Sequence, residues 1–245
     1  MSPTHRTHPI HPIYSELNNQ MNALIPDLLV SPIEAVYNPL DYAGAMHESY
    51  LETYCPREPG CVLFMGMNPG PDGMGQTGIP FGSVPSVRDY LGLEAPIHRP
   101  PLEHPKKPVL GLESPKTEPS GKRLWGLIEE DYPSPQDFFR ENFIINYCPL
   151  LFLGPRGSNI ATSVLKKDLQ ALFLTPCDQA IREIIQLLEP RALVGIGAYA
   201  AQAFRRIAPT RPVTQILHPS PASPLANKDW KGTVRAHLEA EGIWK

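Results

Sequence analysis

Residues 61–82 read Cys61-Val62-Leu63-Phe64-Met65-Gly66-Met67-Asn68-Pro69-Gly70-Pro71-Asp72-Gly73-Met74-Gly75-Gln76-Thr77-Gly78-Ile79-Pro80-Phe81-Gly82. An apolar, strand-like stretch runs from Cys61 to Met65. The seventeen residues from Gly66 to Gly82 then hold six glycines and three prolines. Glycine is conformationally loose and proline removes a backbone donor, so neither an ordinary helix nor a strand forms across that loop. Such a loop exposes backbone N–H groups and lets a ligand approach the main chain closely. Its side chains offer an amide at Asn68, a ring at Phe81 and no obligate nucleophile. Backbone, amide and ring together suit a flat, polar, uncharged ligand such as a nucleobase.

Working outward, the chain alternates strand and helix patterns. Asp41 to Tyr54 reads as a helix with Ala43, Met46, Tyr50 and Tyr54 on one face. Pro96 to Pro119 carries seven prolines in twenty-four residues and reads as an irregular loop. Leu124 to Glu130 reads as a short helix and Phe143 to Pro149 as a buried strand. Thr175-Pro176-Cys177-Asp178 has the pattern of a helix start: an N-cap, a proline in the first turn and an acid that complements the dipole. Ile181, Ile184, Ile185 and Leu188 follow as a buried stripe, closed by Pro190. Ala192 to Ile196 is the next strand and Ala198 to Ile207 the next helix. A last strand, Val213 to Leu217, runs into His218-Pro219-Ser220-Pro221-Ala222-Ser223-Pro224. Alternation of this kind predicts an α/β fold with a parallel sheet covered on both faces. The rigid turn after the last strand would hold an imidazole at the sheet's C-terminal edge, where open α/β sheets bind ligands.

At 245 residues, a flexible tail over 1–25 and a single domain over 26–245 are expected. In that tail, His5, His8 and His11 offer at most a weak metal site. No apolar run is long enough for a membrane helix and the N-terminus lacks an apolar leader, so no membrane partner is expected. A cytoplasmic location follows if the source is bacterial, a nuclear one if it is eukaryotic. Net charge is −3, which excludes a strongly basic, tight electrostatic binder. Positive charge is nonetheless paired along the chain, at Lys106-Lys107, Lys122-Arg123, Lys166-Lys167 and Arg205-Arg206. Cys55, Cys61, Cys148 and Cys177 show no C-x2-C spacing, so no metal, iron–sulfur cluster or other cofactor is expected. Neither G-x-x-x-x-G-K-[ST] nor G-x-G-x-x-G occurs, which counts against a phosphate-binding nucleotide enzyme.

Gly-Met-Asn-Pro-Gly-Pro (Gly66 to Pro71) and His-Pro-Ser-Pro (His218 to Pro221) resemble the two motifs of the uracil-DNA glycosylase superfamily. The stretches from Asn142 to Leu153 and from His104 to Glu113 are similar to its single-strand-selective monofunctional branch. The resemblance extends from about Ser31 to about Glu239. It implies a three-layer α/β/α fold around a central, mainly parallel four-stranded sheet. It also implies a DNA repair glycosylase, acting as a monomer, that hydrolyses the N-glycosidic bond of uracil in single- and double-stranded DNA. The abasic site is left intact.

The resemblance assigns roles. Asn68 positions the water that attacks C1′. An amide cannot take a proton from water at neutral pH, so the reaction must be strongly dissociative. His218 donates a hydrogen bond to uracil O2. Gly66 and Met67 line the base pocket through the backbone, Asn146 reads N3–H and O4, and Phe81 stacks on the base. Gly70, where uracil-only relatives carry tyrosine, leaves room at C5, which extends the range to 5-hydroxymethyluracil. Ser220, Pro221, Ala222, Leu225 and Lys228 belong to the DNA-contacting loop. Two departures stand out: Ala222 where the family often has arginine, and Asp72 where it usually has an aromatic. Taken singly, Asn68, His218 and Asn146 also read as ordinary turn and strand residues. Two alternatives stay open: a glycosylase for hypoxanthine or xanthine, and a non-catalytic protein of this fold that binds single-stranded nucleic acid.

Overall fold

Four parallel strands form the central sheet of the computed structural model, which describes residues 7–222 and 226–244. Their order is β3 (Asn142–Asn146), β2 (Val62–Gly66), β6 (Ala192–Ile196), β7 (Val213–Ile216). All five residues of β2 are buried, as expected for a strand with parallel neighbours on both edges. The architecture is the expected α/β one. Helix α8 (Ala198–Ile207) keeps the bounds read from the sequence and packs on β6 and β7.

Register brings the strand ends level. Gly66 lies opposite Asn146, and Ile196 opposite Ile216. The residues just beyond them, Met67, Asn68, Gly197 and His218, therefore gather at one edge of the sheet. Pairing continues past β2: Tyr147 N–H donates to the Gly66 carbonyl at 3.0 Å and Cys148 N–H to that of Met67 at 2.9 Å. A second, antiparallel sheet of β1 (Ala35–Tyr37), β4 (Leu151–Leu153) and β5 (Asn159–Ile160) was not foreseen.

Three expectations are corrected. The first is the flexible tail over 1–25, of which residues 1–6, with His5, lie outside the described residues. Helix α1 (His11–Leu28) replaces it, with Tyr14, Leu17, Met21 and Leu28 buried. Those four sit three, four and seven residues apart, an apolar face that packs on α7 (Lys167–Leu188). His8 is buried as well, its Nε2 at 3.1 Å from the Pro56 carbonyl.

The second is the helix over Asp41–Tyr54, which breaks at Ala43 into α2 (Pro39–Tyr42) and α3 (Gly44–Tyr54). Asn38 caps α2 by accepting from Leu40 N–H, while its Nδ2 donates to Asn18 and Asn22 of α1. The third is the helix start at Thr175. Helix α7 begins at Lys167 and carries Pro176 in its interior. An interior proline costs about 3 kcal/mol. Burial of Phe173 against Phe152, upstream of that proline, works in the opposite direction.

Candidate active site

The site is built where β2 and β3 end. Gly66 has no side chain because the space before it is taken. A Cβ there would lie 2.5 Å from the Phe81 ring and would also overlap Asn146 Oδ1. The Asn146 amide and the Phe81 ring thus converge over a bare strand end. Asn146 Nδ2 donates to Met74 Sδ at 3.1 Å, and its Oδ1 is buried with no partner among the described residues. The sulfur can only accept, so this contact fixes which end of the amide is the oxygen. The unpaired Oδ1 then calls for a hydrogen-bond donor from outside the described residues.

Phe81 adopts φ 55°, a left-handed conformation rare for a bulky residue. Its loop holds it there: Ser83 N–H donates to the Phe81 carbonyl at 2.9 Å, Gly82 N–H to Ile79 at 2.8 Å, and Thr77 Oγ1 to Gly82 at 2.8 Å. The Phe81 carbonyl lies so close to Gly121 that any Cβ there would collide with it. A strained aromatic beside a pocket is the kind of outlier that functional sites retain.

His218 faces Phe81 with ring centroids 6.2 Å apart. Ser220 N–H donates to His218 Nδ1 at 3.1 Å. Nδ1 is then an acceptor, so in the neutral ring the proton sits on Nε2, which is left as a donor. Burial lowers the pKa of His218 and favours this neutral form. Gly197, at φ 88°, gives the ring room: a Cβ there would meet His218 Cβ at 3.1 Å. The turn itself is held from outside. Arg123 of α5 (Pro119–Asp131) donates to the Pro219 carbonyl at 3.0 Å and to Asn227 Oδ1 at 2.9 Å. Asn227 Nδ2 donates to the Pro221 carbonyl at 2.8 Å, and Trp230 Nε1 to that of Leu217 at 2.7 Å, both from α9 (Ala226–Ala240).

Asn68 is half-buried. Its Nδ2 donates to the carbonyls of Leu150 and Pro69, both at 3.3 Å, which leaves Oδ1 as the end that can accept from a water. Met67 is held by its carbonyl bond to Cys148. Ser220 Oγ accepts from Ala222 N–H at 3.2 Å. Pro221 and Ala222 are exposed beside the site, and Lys228 is exposed on α9. Leu225 lies outside the described residues.

The carboxylate that sequence reasoning singled out is not the one at the pocket. Asp72 is bound by Lys107 Nζ, at 3.0 and 3.1 Å to its two oxygens. The space before Gly70, read as open, is filled by Glu118: a Cβ on Gly70 would lie 2.8 Å from its carboxyl, and one on Gly73 would collide with it. Burial pushes Glu118 up to about pKa 7; Ser120 acts in opposition, and the nearby Asp72 raises it further. Nothing in the sequence separated Glu118 from an ordinary acid at a helix start. The basic pairs are also partly spent inside the molecule, with Lys107 on Asp72, Arg123 on the His218 turn and Arg206 on Asp178. The four cysteines are free and buried, and among the described residues no group of three or more His, Cys, Asp or Glu could hold a metal.

An amide, a ring and an imidazole thus gather at the C-terminal edge of an open α/β sheet, the place where such sheets bind ligands. The family profile described as Uracil DNA glycosylase superfamily matches residues 53–239. The single-strand selective monofunctional uracil DNA glycosylase of Mus musculus is 47% identical over 218 residues, covering 86% of this chain and 77% of its own. The Bos taurus protein of the same name is 48% identical over 212 residues, covering 85% and 78%. The crystal structure of wild-type Pedobacter heparinus SMUG2 superposes with a TM-score of 0.63 at 18% identity, over 92% of this chain and 97% of that one, a likeness of fold. The chain belongs to the uracil-DNA glycosylase superfamily and, within it, to the single-strand selective monofunctional branch, hydrolases of N-glycosyl bonds.

Proposed function

We propose that this chain removes uracil from DNA by hydrolysis at the pocket over Gly66, without metal or cofactor. The observation that carries the reading is the buried, unpaired Asn146 Oδ1 with its amide orientation set by Met74. Uracil brings N3–H to that oxygen and O4 to the remaining Nδ2 proton. Cytosine brings an acceptor at N3 and leaves the oxygen unpaired, which costs about 1–3 kcal/mol. Phe81 stacks on the base. His218 Nε2–H donates to O2 as charge collects there, an oxyanion-type contact worth roughly 3–4 kcal/mol. The C1′–N1 bond breaks first, leaving an oxocarbenium-like sugar and a uracil anion. The water held by Asn68 Oδ1 then adds to C1′ and loses its proton to solvent, giving an abasic site.

The range we infer covers uracil in single- and double-stranded DNA, with 5-hydroxymethyluracil as a second base. Ser220, Pro221 and Ala222 lie where an extruded nucleotide would enter, and Leu225 and Lys228 follow in sequence. Ala222 is small, so a strong wedge is not assigned to it. The protein acts as a monomer, in the cytoplasm of a bacterium or the nucleus of a eukaryote. An oligonucleotide panel carrying uracil, 5-hydroxymethyluracil, hypoxanthine, xanthine or no lesion, single- and double-stranded and in EDTA, tests the reading. Uracil release to an alkali-labile strand is expected. Excision of purines alone, or activity abolished by EDTA, contradicts it.

A further inference from the structure

Glu118 sits at the N-terminal boundary of α5, and its side chain makes no capping bond. It turns instead into the glycine-rich loop, over Gly70 and Gly73, where neither position could carry even a methyl group without displacing it. Ser120, buried in the first turn of α5, lies near enough to lower the carboxyl's pKa against the effect of burial. Two glycines therefore make room for a half-buried carboxyl. The ion pair of Asp72 with Lys107 lies nearby, and among the described residues Glu118 has no cationic partner of its own.

The base pose proposed above fixes what this carboxyl meets, and the inference rests on that pose. Asn146 Nδ2 lies on the Met74 side, so O4 of the bound base points toward Met74. C5 follows C4 around the ring, away from His218. In that pose it faces the segment from Gly70 to Met74, where Glu118 lies against Gly70 and Gly73. We infer that Glu118 is the specificity-determining residue for the C5 substituent. Its carboxyl hydrogen-bonds a 5-hydroxymethyl group and disfavours the 5-methyl group of thymine. A hydroxyl at C5 can donate to the carboxylate or accept from the carboxylic acid, so either protonation state serves. A methyl group covers the carboxyl and gives no bond in return, and an acceptor shut off from water in that way is costly. Uracil, with hydrogen at C5, is admitted without contact.

The test compares kcat/KM for 5-hydroxymethyluracil, uracil and thymine in one single-stranded context, using the wild type, Glu118→Gln and Glu118→Met. Both substitutions keep the side chain's length; only Gln keeps its polarity. Glu118→Met is expected to lower the ratio of 5-hydroxymethyluracil to uracil by about tenfold or more, the loss of one strong hydrogen bond. It should raise thymine relative to uracil, and Glu118→Gln should hold both ratios within a few-fold of wild type. Unfolding midpoints of both variants establish that they are folded. Ratios unchanged in Glu118→Met, or shifted equally by Gln and Met, overturn the inference. So does a wild type that excises uracil and leaves 5-hydroxymethyluracil untouched. A wild type that excises no uracil defeats the base pose itself, a separate failure visible before any variant is made.

Discussion

The two walls of the pocket are held in different ways. The loop from Gly66 to Gly82 is held at many points: its own amides and carbonyls bond each other, Tyr147, Cys148, Tyr42 and His47 bond its carbonyls, and its glycines mark points where another group presses against the backbone. The turn from His218 to Ala222 has two bonds of its own, from Ser220 N–H to His218 Nδ1 and from Ala222 N–H to Ser220 Oγ. It otherwise hangs on side chains of two helices, Arg123 of α5 and Asn227 and Trp230 of α9. On the proposed reading, the base-reading half is held at many points, while the half that would stabilise the leaving group depends on a few side-chain ties. Substitutions at the loop's packed glycines should therefore weaken binding strongly. Substitutions in the ties should slow the chemical step and leave binding largely intact.

The largest effect is expected from Gly66→Ala. The new methyl group collides with Asn146 Oδ1 and the Phe81 ring. Uracil affinity and excision should both fall by about two orders of magnitude or more, in line with overpacking a dense interior by 1–3 kcal/mol and losing an electrostatic contact besides. Uracil-oligonucleotide binding measured beside single-turnover excision checks this. Near wild-type binding would mean that the loop is looser than described.

Arg123→Ala removes the tie to Pro219 and Asn227. The chemical rate should drop about tenfold, for loss of a charged hydrogen-bond donor of about 1.5–3 kcal/mol that acts only through His218. KM should change little. An effect confined to KM would instead place Arg123 in DNA binding, and Arg123→Lys, which can still reach one carbonyl, should recover part of the rate.

The loop has one acid-sensitive support. His47 is buried, bonds the Gly78 carbonyl at 2.9 Å, and is pushed down by burial to about pKa 4. Its folded pKa lies below the ordinary value near 6.5, so the unfolded chain takes up the proton first. The resulting stability is present above about pH 6.5 and is lost as the pH falls toward 4. Urea midpoints at pH 7.5 and 4.5 should therefore decline less in His47→Gln than in the wild type. Equal declines would exclude His47 as the cause.

The smallest effect is expected at Asp72. Its carboxylate is committed to Lys107, so Asp72→Asn should leave single-turnover excision within a few-fold of wild type. A loss of about 10²–10⁴-fold, the range of general-base catalysis, would make it a participant.

Much of the site was legible in sequence because its signals are local. A strand followed by a glycine-rich loop, an Asn directly after a strand, and a His before two prolines all name their positions at the sheet edge. Helix Ala198–Ile207 was legible for the same reason, with a glycine before it and a regular apolar face. What escaped depends on distance in sequence. Glu118 and Gly70 lie 48 residues apart, and neither announces the other. Arg123 looked like a surface charge until Pro219 was placed beside it. The N-terminal segment was misread because its polar, proline-rich start hid the spacing of Tyr14, Leu17 and Met21, and Pro176 because tertiary packing carries a helix through it.

The central claim is that Asn68 and His218, brought together by two unlike walls, hydrolyse uracil from DNA without metal or covalent intermediate. Single-turnover release of uracil from a single-stranded oligonucleotide in EDTA tests it most directly, with wild type beside Asn68→Ala and His218→Ala. The wild type should yield an intact strand cut only by later alkali. Each variant should be slower by about two orders of magnitude or more, as for the loss of one preorganised electrostatic contact, with an unchanged unfolding midpoint. Wild-type rates in either folded variant would contradict the account.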